Sequence, residues 1–155
     1  MAIAIDESIR QELRAELVPL GVLWAKFGEI HMVEGAPFGT RVVVDVTDIR
    51  FEGDRLKASM KGTAAADWGS LCPDGTFQLD VRATLESDDG ALIFAQYNGR
   101  CDFSGGLQAP GPVYNAPRFE TGDPRYSWLN KIQAVQKGKV DFAKNEIVYQ
   151  MYELR

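Results

Sequence analysis

Apolar and polar residues alternate over most of this chain, in short runs separated by turn-forming residues. Such runs occupy residues 22–32, 40–48, 55–61, 76–85, 91–100, 131–136 and 147–154. Gly and Asp are concentrated between the runs, as in 73–75 (PDG) and 88–90 (DDG). Because no helical segments alternate with the strands, the pattern predicts an all-β, mostly antiparallel sheet.

An open sheet of this kind would leave two unpaired edges, which closure into a barrel removes. We therefore expect a single closed antiparallel β-barrel of about eight to ten strands, either lipocalin-like or allene-oxide-cyclase-like. A barrel of about eight strands can hold one small ligand. The 155 residues are enough for one domain, and we assign the barrel to residues 17–155.

The first 16 residues have a different period. Ile5, Ile9, Leu13 and Leu17 recur every four residues with charged residues between them. This spacing predicts a short amphipathic helix within residues 1–16, beginning near Asp6. We expect the helix to pack on the outside of the barrel or across one of its ends.

Two further segments interrupt the strand pattern. Residues 104–117 contain three Gly and three Pro, which predicts a long loop; it is either a lid over a barrel mouth or a surface excursion. After it, Asp123 and Pro124 are typical of the N-cap and first position of a helical turn.

Charge and composition exclude several classes of partner. The net charge of −5 argues against nucleic acid. Neither an apolar run long enough to span a membrane nor a secretory signal is present, so we expect a cytoplasmic protein. Cys72 and Cys101 fit no zinc spacing and are interpreted as reduced thiols. Apolar residues on both faces of the central strands favour a homo-oligomer, most simply a dimer.

Motifs for several catalytic chemistries are also missing. The sequence contains no HExxH, GxSxG, Walker or GxGxxG motif. Its single histidine, His31, cannot form a histidine cluster for a transition metal. We therefore expect neither a metal nor another cofactor.

The segment 79–99 carries the most informative polar residues. A hairpin loop of either two or four residues near Asp89 would place Asp80, Arg82 and Tyr97 on one face. In one interpretation this face is the solvated outside of the sheet, which composition alone favours. In the other it points inward and forms a small polar site in an enclosed cavity.

A family resemblance favours the second interpretation. Residues 66–68 (ADW), 73–75 (PDG), 79–85 (LDVRATL), 88–93 (DDGALI) and 117–130 (PRFETGDPRYSWLN) resemble the bacterial and fungal family called domain of unknown function 3237. The resemblance covers roughly residues 17–154 and implies a small antiparallel β-barrel with a central cavity. The chain departs from the family pattern at Ala65-Ala66, where a Gly pair is frequent, and at Cys72, where Arg is frequent.

Two functions compete for such a cavity. The first is a cofactor-independent enzyme of the isomerase, tautomerase or lyase (dehydratase) type, which transfers a proton on an unsaturated or aromatic carbonyl, nitro or phenolic compound. Asp80 would be the general base, Tyr97 the proton donor and Arg82 the stabiliser of the developing anion. Residues expected to bind the substrate are Asp67, Trp68, Glu120, Tyr126 and Trp128, with Asp67 and Glu120 as alternative bases.

The second function is a non-catalytic, lipocalin-like carrier or sensor of a small hydrophobic ligand. An ion pair such as Asp80–Arg82 is structural more often than catalytic. A subunit that only packs against neighbouring barrels is a third interpretation. An enzyme needs a carboxylate with a free lone pair facing the ligand, and this requirement separates the first function from the others.

Overall fold

Ten antiparallel strands dominate residues 3–155, the part of the chain that this computed structural model describes. Most of the strands form where apolar side chains alternate with polar ones, so that one face of the strand can be buried. The strands are β1 (Leu17–Ala36), β2 (Gly39–Glu52), β3 (Lys57–Met60), β4 (Ala66–Leu71), β5 (Thr76–Ser87), β6 (Leu92–Asp102), β7 (Val113–Asn115), β8 (Arg118–Glu120), β9 (Gln133–Asp141) and β10 (Glu146–Leu154).

The strand pairings form a ring. Starting from β1, successive antiparallel pairings with β2, β4, β5, β6, β7, β9 and β10 lead back to β1. Strand β3 pairs with both β2 and β5, and β8 pairs with β6. The predicted all-β antiparallel class is confirmed, and we call the ring the barrel-like sheet. Three short strands, β4, β7 and β8, were not among the predicted runs.

The core occupies the inner face of the barrel-like sheet. Every second residue of β5 is buried, from Leu79 to Leu85, and Ile93 on β6 is fully buried. A 3-10 helix, Pro124–Lys131, begins at the N-cap residue Asp123 with Pro124 in its first turn, as predicted. Its Leu129 is 1% exposed, so the helix fills one end of the sheet with apolar volume.

The turn between β5 and β6 sets which residues share a face. Ser87 N–H donates to the Ala91 carbonyl at 2.9 Å, which leaves three residues, Asp88 to Gly90, in the loop. Gly90 has φ +90°, a left-handed conformation that glycine adopts without strain. An odd loop length shifts the register by one residue relative to loops of two or four, so Val81 rather than Asp80 or Arg82 lies opposite Tyr97.

The N-terminal helix is shorter than the predicted stripe. Helix α1 spans Glu7–Glu12, and the Asp6 side chain caps it by accepting the Ser8 N–H at 2.8 Å. The start near Asp6 is confirmed, but none of the helix residues is buried. All four stripe residues are exposed, with Ile5 43%, Ile9 47%, Leu13 72% and Leu17 55% accessible, so the structure does not show the predicted packing against the sheet. The homo-dimer stays a prediction.

No helix within residues 3–155 is long and apolar enough to cross a membrane.

Candidate active site in the barrel interior

A cavity of about 360 Å³ lies inside the barrel-like sheet. Side chains of β1, β2, β4, β5, β6, β7, β9 and β10 line its walls, and almost all of them are apolar. Lys26, Leu107 and Gln108 line its rim and are exposed, which marks the mouth at the end opposite the 3-10 helix. The volume lies at the lower end of the range for small-molecule sites.

The long loop after β6 contributes to this mouth. Phe103, Leu107 and Gln108 all border the cavity. Part of the predicted loop, Val113–Asn115, is strand β7, which pairs with β6 and β9. Residues of this loop therefore border the barrel mouth, and a role of the loop as a lid stays a prediction.

Asp67 is the one carboxylate among the residues that border the cavity. The alternation of β4 turns Asp67 inward and Trp68 outward, and Asp67 is 8% exposed. Its register partners are Val44 on β2 and Val81 on β5, both of which also border the cavity. The acid group thus lies on an apolar wall.

The surroundings of Asp67 raise its pKa to about 6. Burial is the largest cause, because the ionised carboxylate loses its hydration. The Asp80 N–H donates to Oδ1 at 2.9 Å and opposes the shift, while the nearby charge of Asp80 adds to it. Within residues 3–155, Oδ2 accepts no hydrogen bond. The carboxylate therefore keeps a lone pair for a ligand.

Two tyrosines lie in the same interior. The rings of Tyr97 and Tyr149 meet edge to face, with centroids 6.2 Å apart, and Tyr149 is 1% exposed. A Cβ on Gly138 would lie 2.3 Å from the Tyr149 ring, so the absence of a side chain there makes room for this ring. Enclosure raises the pKa of both phenols above its usual value, and the charge of Asp67 raises it further. Both phenols are neutral hydrogen-bond donors near pH 7.

The structure separates the three residues predicted to be catalytic. Tyr97 faces the cavity. Asp80 and Arg82 lie on the outer face, where Arg82 Nη2 is 3.2 Å from Asp80 Oδ2 and the guanidinium stacks over Trp68 at 5.3 Å. The predicted shared face is wrong, because the three-residue turn reverses the parity of Tyr97 relative to Asp80 and Arg82.

The residues predicted to bind substrate are separated in the same way. Asp67 borders the cavity, whereas Trp68 is 37% exposed on the outer face. Glu120 is exposed on β8 and borders a shallow outer groove. Tyr126 and Trp128 belong to the 3-10 helix, which lies beyond the end of the cavity opposite its mouth.

Those two helix residues have structural partners. The Tyr126 hydroxyl donates to Asp89 Oδ1 at 2.9 Å, which ties the helix to the β5–β6 turn. Trp128 packs against the core beneath the Arg55 guanidinium, 3.6 Å from the ring centroid. A substrate-binding role for either residue would require a site other than the cavity.

Tyr149 is an interior residue that was not among the residues predicted to form the site. A signal for it was present, because Ile147, Tyr149 and Met151 occupy every second position of a strand run and so share one face. A phenol on an otherwise aliphatic face is the kind of group that points to a polar site inside a barrel.

No three His, Cys, Asp or Glu side chains of residues 3–155 converge where they could hold a metal ion.

Comparisons with known proteins agree with this architecture. A β-barrel-like protein of Acinetobacter baumannii superposes with a TM-score of 0.81 at 28% identity, covering 92% of this chain and 97% of the other. A fungal protein described as an enzyme from Penicillium herquei superposes with a TM-score of 0.69 at 18% identity, over 92% and 94% of the two chains. A UPF0311 protein of Rhodopseudomonas palustris is 24% identical over 119 residues, 68% of this chain and 75% of that protein.

A family model described as protein of unknown function (DUF3237) matches residues 15–154. This match leaves out the whole of the N-terminal helix and includes all ten strands. The chain therefore belongs to the DUF3237 family.

Proposed function

We propose that this protein is an enzyme that transfers protons on a small, largely apolar carbonyl or phenolic compound bound in the barrel interior. Asp67 is the general base, and Tyr97 and Tyr149 donate hydrogen bonds to the oxygen on which negative charge develops. One observation carries the proposal: a buried carboxyl of raised pKa lies on an apolar cavity wall near two enclosed, neutral phenols.

The pKa of about 6 suits this role. At pH 7 the carboxylate is mostly ionised, yet it is more basic than an exposed aspartate. General bases are most effective when their pKa lies near the working pH. The free Oδ2 lone pair provides the atom that would accept the proton.

The tyrosines provide the complementary half of the reaction. Removing a proton next to a carbonyl moves negative charge onto the carbonyl oxygen, where preorganised donors in a water-poor site stabilise it strongly. The phenols are held neutral, and the edge-to-face contact of their rings holds them together. Neither needs a cofactor to act in this way.

The walls indicate the class of substrate. Apart from Asp67, the two tyrosines, and Lys26, Cys101 and Gln108, the cavity is lined by apolar side chains. A phosphate ester would find no compensating positive charge deep in the cavity, because Lys26 lies at the rim. A compact bicyclic ketone or phenol fits both the volume and the polarity.

Hydrogen–deuterium exchange tests the base. The probe is 2-tetralone, whose α-protons are followed by NMR in deuterium oxide with wild-type protein and Asp67→Asn. The wild-type protein should accelerate exchange, and Asp67→Asn should lower that acceleration by about 100-fold to 10,000-fold. Asp80→Asn is the matched control, because it makes the same change on the adjacent strand with the side chain outside the cavity.

Tyrosine variants test the donors. Tyr97→Phe and Tyr149→Phe should each slow exchange by up to about 100-fold while changing the affinity for 2-tetralone much less. Equal losses of affinity and rate would mean that the phenols only bind the ligand.

A carrier of a small hydrophobic ligand is the second candidate, which the nearly continuous apolar lining favours. The same experiment separates the two functions. If the wild-type protein binds 2-tetralone tightly but does not accelerate its exchange, the carrier function is supported and the enzyme function is rejected.

A further inference from the structure

Asn115 and Gln136 form a buried amide pair that the proposed proton transfer does not use. They are direct register partners on β7 and β9. Asn115 is 8% exposed and Gln136 is 3% exposed. Both lie on the inner face, because Tyr114 and Lys137, their neighbours along the strands, face outward and are exposed.

All four polar atoms of this amide pair lack a partner among residues 3–155: Nδ2 and Oδ1 of Asn115, and Nε2 and Oε1 of Gln136. Nearly all buried polar groups in proteins are hydrogen-bonded, to protein or to ordered water. Leaving an amide unpaired in an apolar interior is costly. Two such groups side by side therefore indicate that something with hydrogen-bonding capacity binds between them.

The fold makes space for the amide pair. Asn115 pairs with Gly99 on β6, where an added Cβ would lie 2.5 Å from the Asn115 Cβ. Gln136 pairs with Met151 on β10, a residue that is 1% exposed. The amides are thus held in a confined part of the interior rather than at its rim.

The amide pair lies between the strands that carry the two tyrosines. Tyr97 is on β6 and Tyr149 on β10, and β7 and β9 lie between them in the ring. The tyrosine rings meet although their strands are roughly 14 Å apart along the sheet, so they extend over the intervening wall. Val113, the inner-face neighbour of Asn115, borders the cavity.

We propose that Asn115 and Gln136 form a polar subsite that binds a hydroxyl-type oxygen, one that both donates and accepts hydrogen bonds. Each amide presents a donor and an acceptor, so a single such oxygen can bond to both side chains. The oxygen comes either from water or from a hydroxyl group of the ligand. The second source rests on the function proposed above, since it requires the ligand to enter this interior.

Crystals of the wild-type protein, grown with and without 2-naphthol, test the subsite without any substitution. An oxygen should lie within about 3 Å of both amides, as water in the unliganded crystal and as water or the naphthol hydroxyl in the complex. The proposal is overturned if no oxygen lies between the amides and they bond instead to each other or to the backbone.

Binding measurements distinguish the two sources. Fluorescence titrations compare 2-naphthol with 2-methylnaphthalene, in which a methyl group replaces the hydroxyl. If the amides bind the ligand hydroxyl, the wild-type protein should prefer 2-naphthol by about threefold to tenfold, and Gln136→Met should remove this preference. If water remains in the subsite, Gln136→Met leaves the relative affinity for the two probes unchanged and the oxygen persists in the complex.

Two variants complete the test. Gln150→Met is the matched control, because Gln150 makes its hydrogen bonds to the Gly21 and Met151 carbonyls and should not affect the preference. If the preference for 2-naphthol survives in Gln136→Met and disappears in Asp67→Asn, the ligand hydroxyl binds to Asp67. The ligand is then not the source of the oxygen between the amides. Failure of the proposed catalysis is distinguishable from failure of the subsite. In that case the protein does not accelerate 2-tetralone exchange, but the crystals still show the oxygen between the two amides.

Discussion

Asp67 and Asp80 lie on neighbouring strands and are joined by one hydrogen bond, yet they occupy opposite environments. The Asp80 N–H donates to Asp67 Oδ1, but the Asp67 side chain faces the cavity and the Asp80 side chain faces solvent beside Arg82. The first has a raised pKa and a free lone pair, whereas the second has a salt-bridge partner. The side of the sheet, and not the type of residue, determines which carboxylate can act as a base.

The largest effect on stability should come from titrating the inner carboxyl. A folded-state pKa of about 6 against 3.8 means that folding favours the protonated acid, so its stabilisation is full below about pH 4 and lost as pH rises through 6. Relative to Asp67→Asn, the wild-type free energy of unfolding should fall by up to about 3 kcal/mol between pH 4 and pH 7. Urea denaturation of both proteins across this range measures the difference, and a constant difference would contradict the raised pKa.

Close packing distinguishes the inner face from the surface. Gly138→Ala should destabilise the fold by about 1–3 kcal/mol, because the new Cβ would lie 2.3 Å from the Tyr149 ring. Gly122→Ala is the control, since nothing lies within 4 Å of its Cβ position. Thermal unfolding measures both variants, and equal stabilities would mean that the Tyr149 ring moves freely.

The outer ion pair should contribute little to stability. Arg82→Met removes a contact of 3.2 Å between side chains that are 48% and 38% exposed, so the free energy of unfolding should change by less than about 1 kcal/mol. Urea denaturation at low and high salt measures the change. A larger loss would show that the stack of Arg82 on Trp68 supports the sheet.

The smallest expected effect is that of the outer carboxylate, Asp80, on the pKa of the inner one, Asp67. Because the charge of Asp80 helps to raise the pKa of Asp67, Asp80→Asn should move the midpoint of the pH profile for 2-tetralone exchange slightly below the wild-type midpoint of about 6. A shift to higher pH would contradict this coupling. Complete loss of exchange in Asp80→Asn would identify Asp80, and not Asp67, as the general base.

Local features of the chain could be predicted because they depend on neighbouring residues. Alternation at period two predicted most of the long strands, and side-chain capping predicted the helix starts after Asp6 and Asp123. The short strands β4, β7 and β8 have three to six residues, too few for an alternating pattern to be distinctive.

The candidate site was predicted only in part. Asp67 and Tyr97 were named from the sequence, but Asp80 and Arg82 were assigned to the wrong face. Asp-Asp-Gly is compatible with loops of two, three or four residues, and only the hydrogen bond between Ser87 and Ala91 selects three. One residue of loop length therefore decided which polar groups meet.

The sequence by itself determined which residues share a face along regular strands such as β5 and β6, since side chains alternate there. In β1 the register shifts, as between Lys26 and Phe27, and the alternation is broken. It also determined the all-β class, through its turns and its lack of helical segments between strands. Only the tertiary structure decided which face is the inner one, because that depends on the register of strands far apart in the chain. The meeting of Asp67, Tyr97 and Tyr149 in one cavity is a property of the ring of strands, and no local pattern contains it.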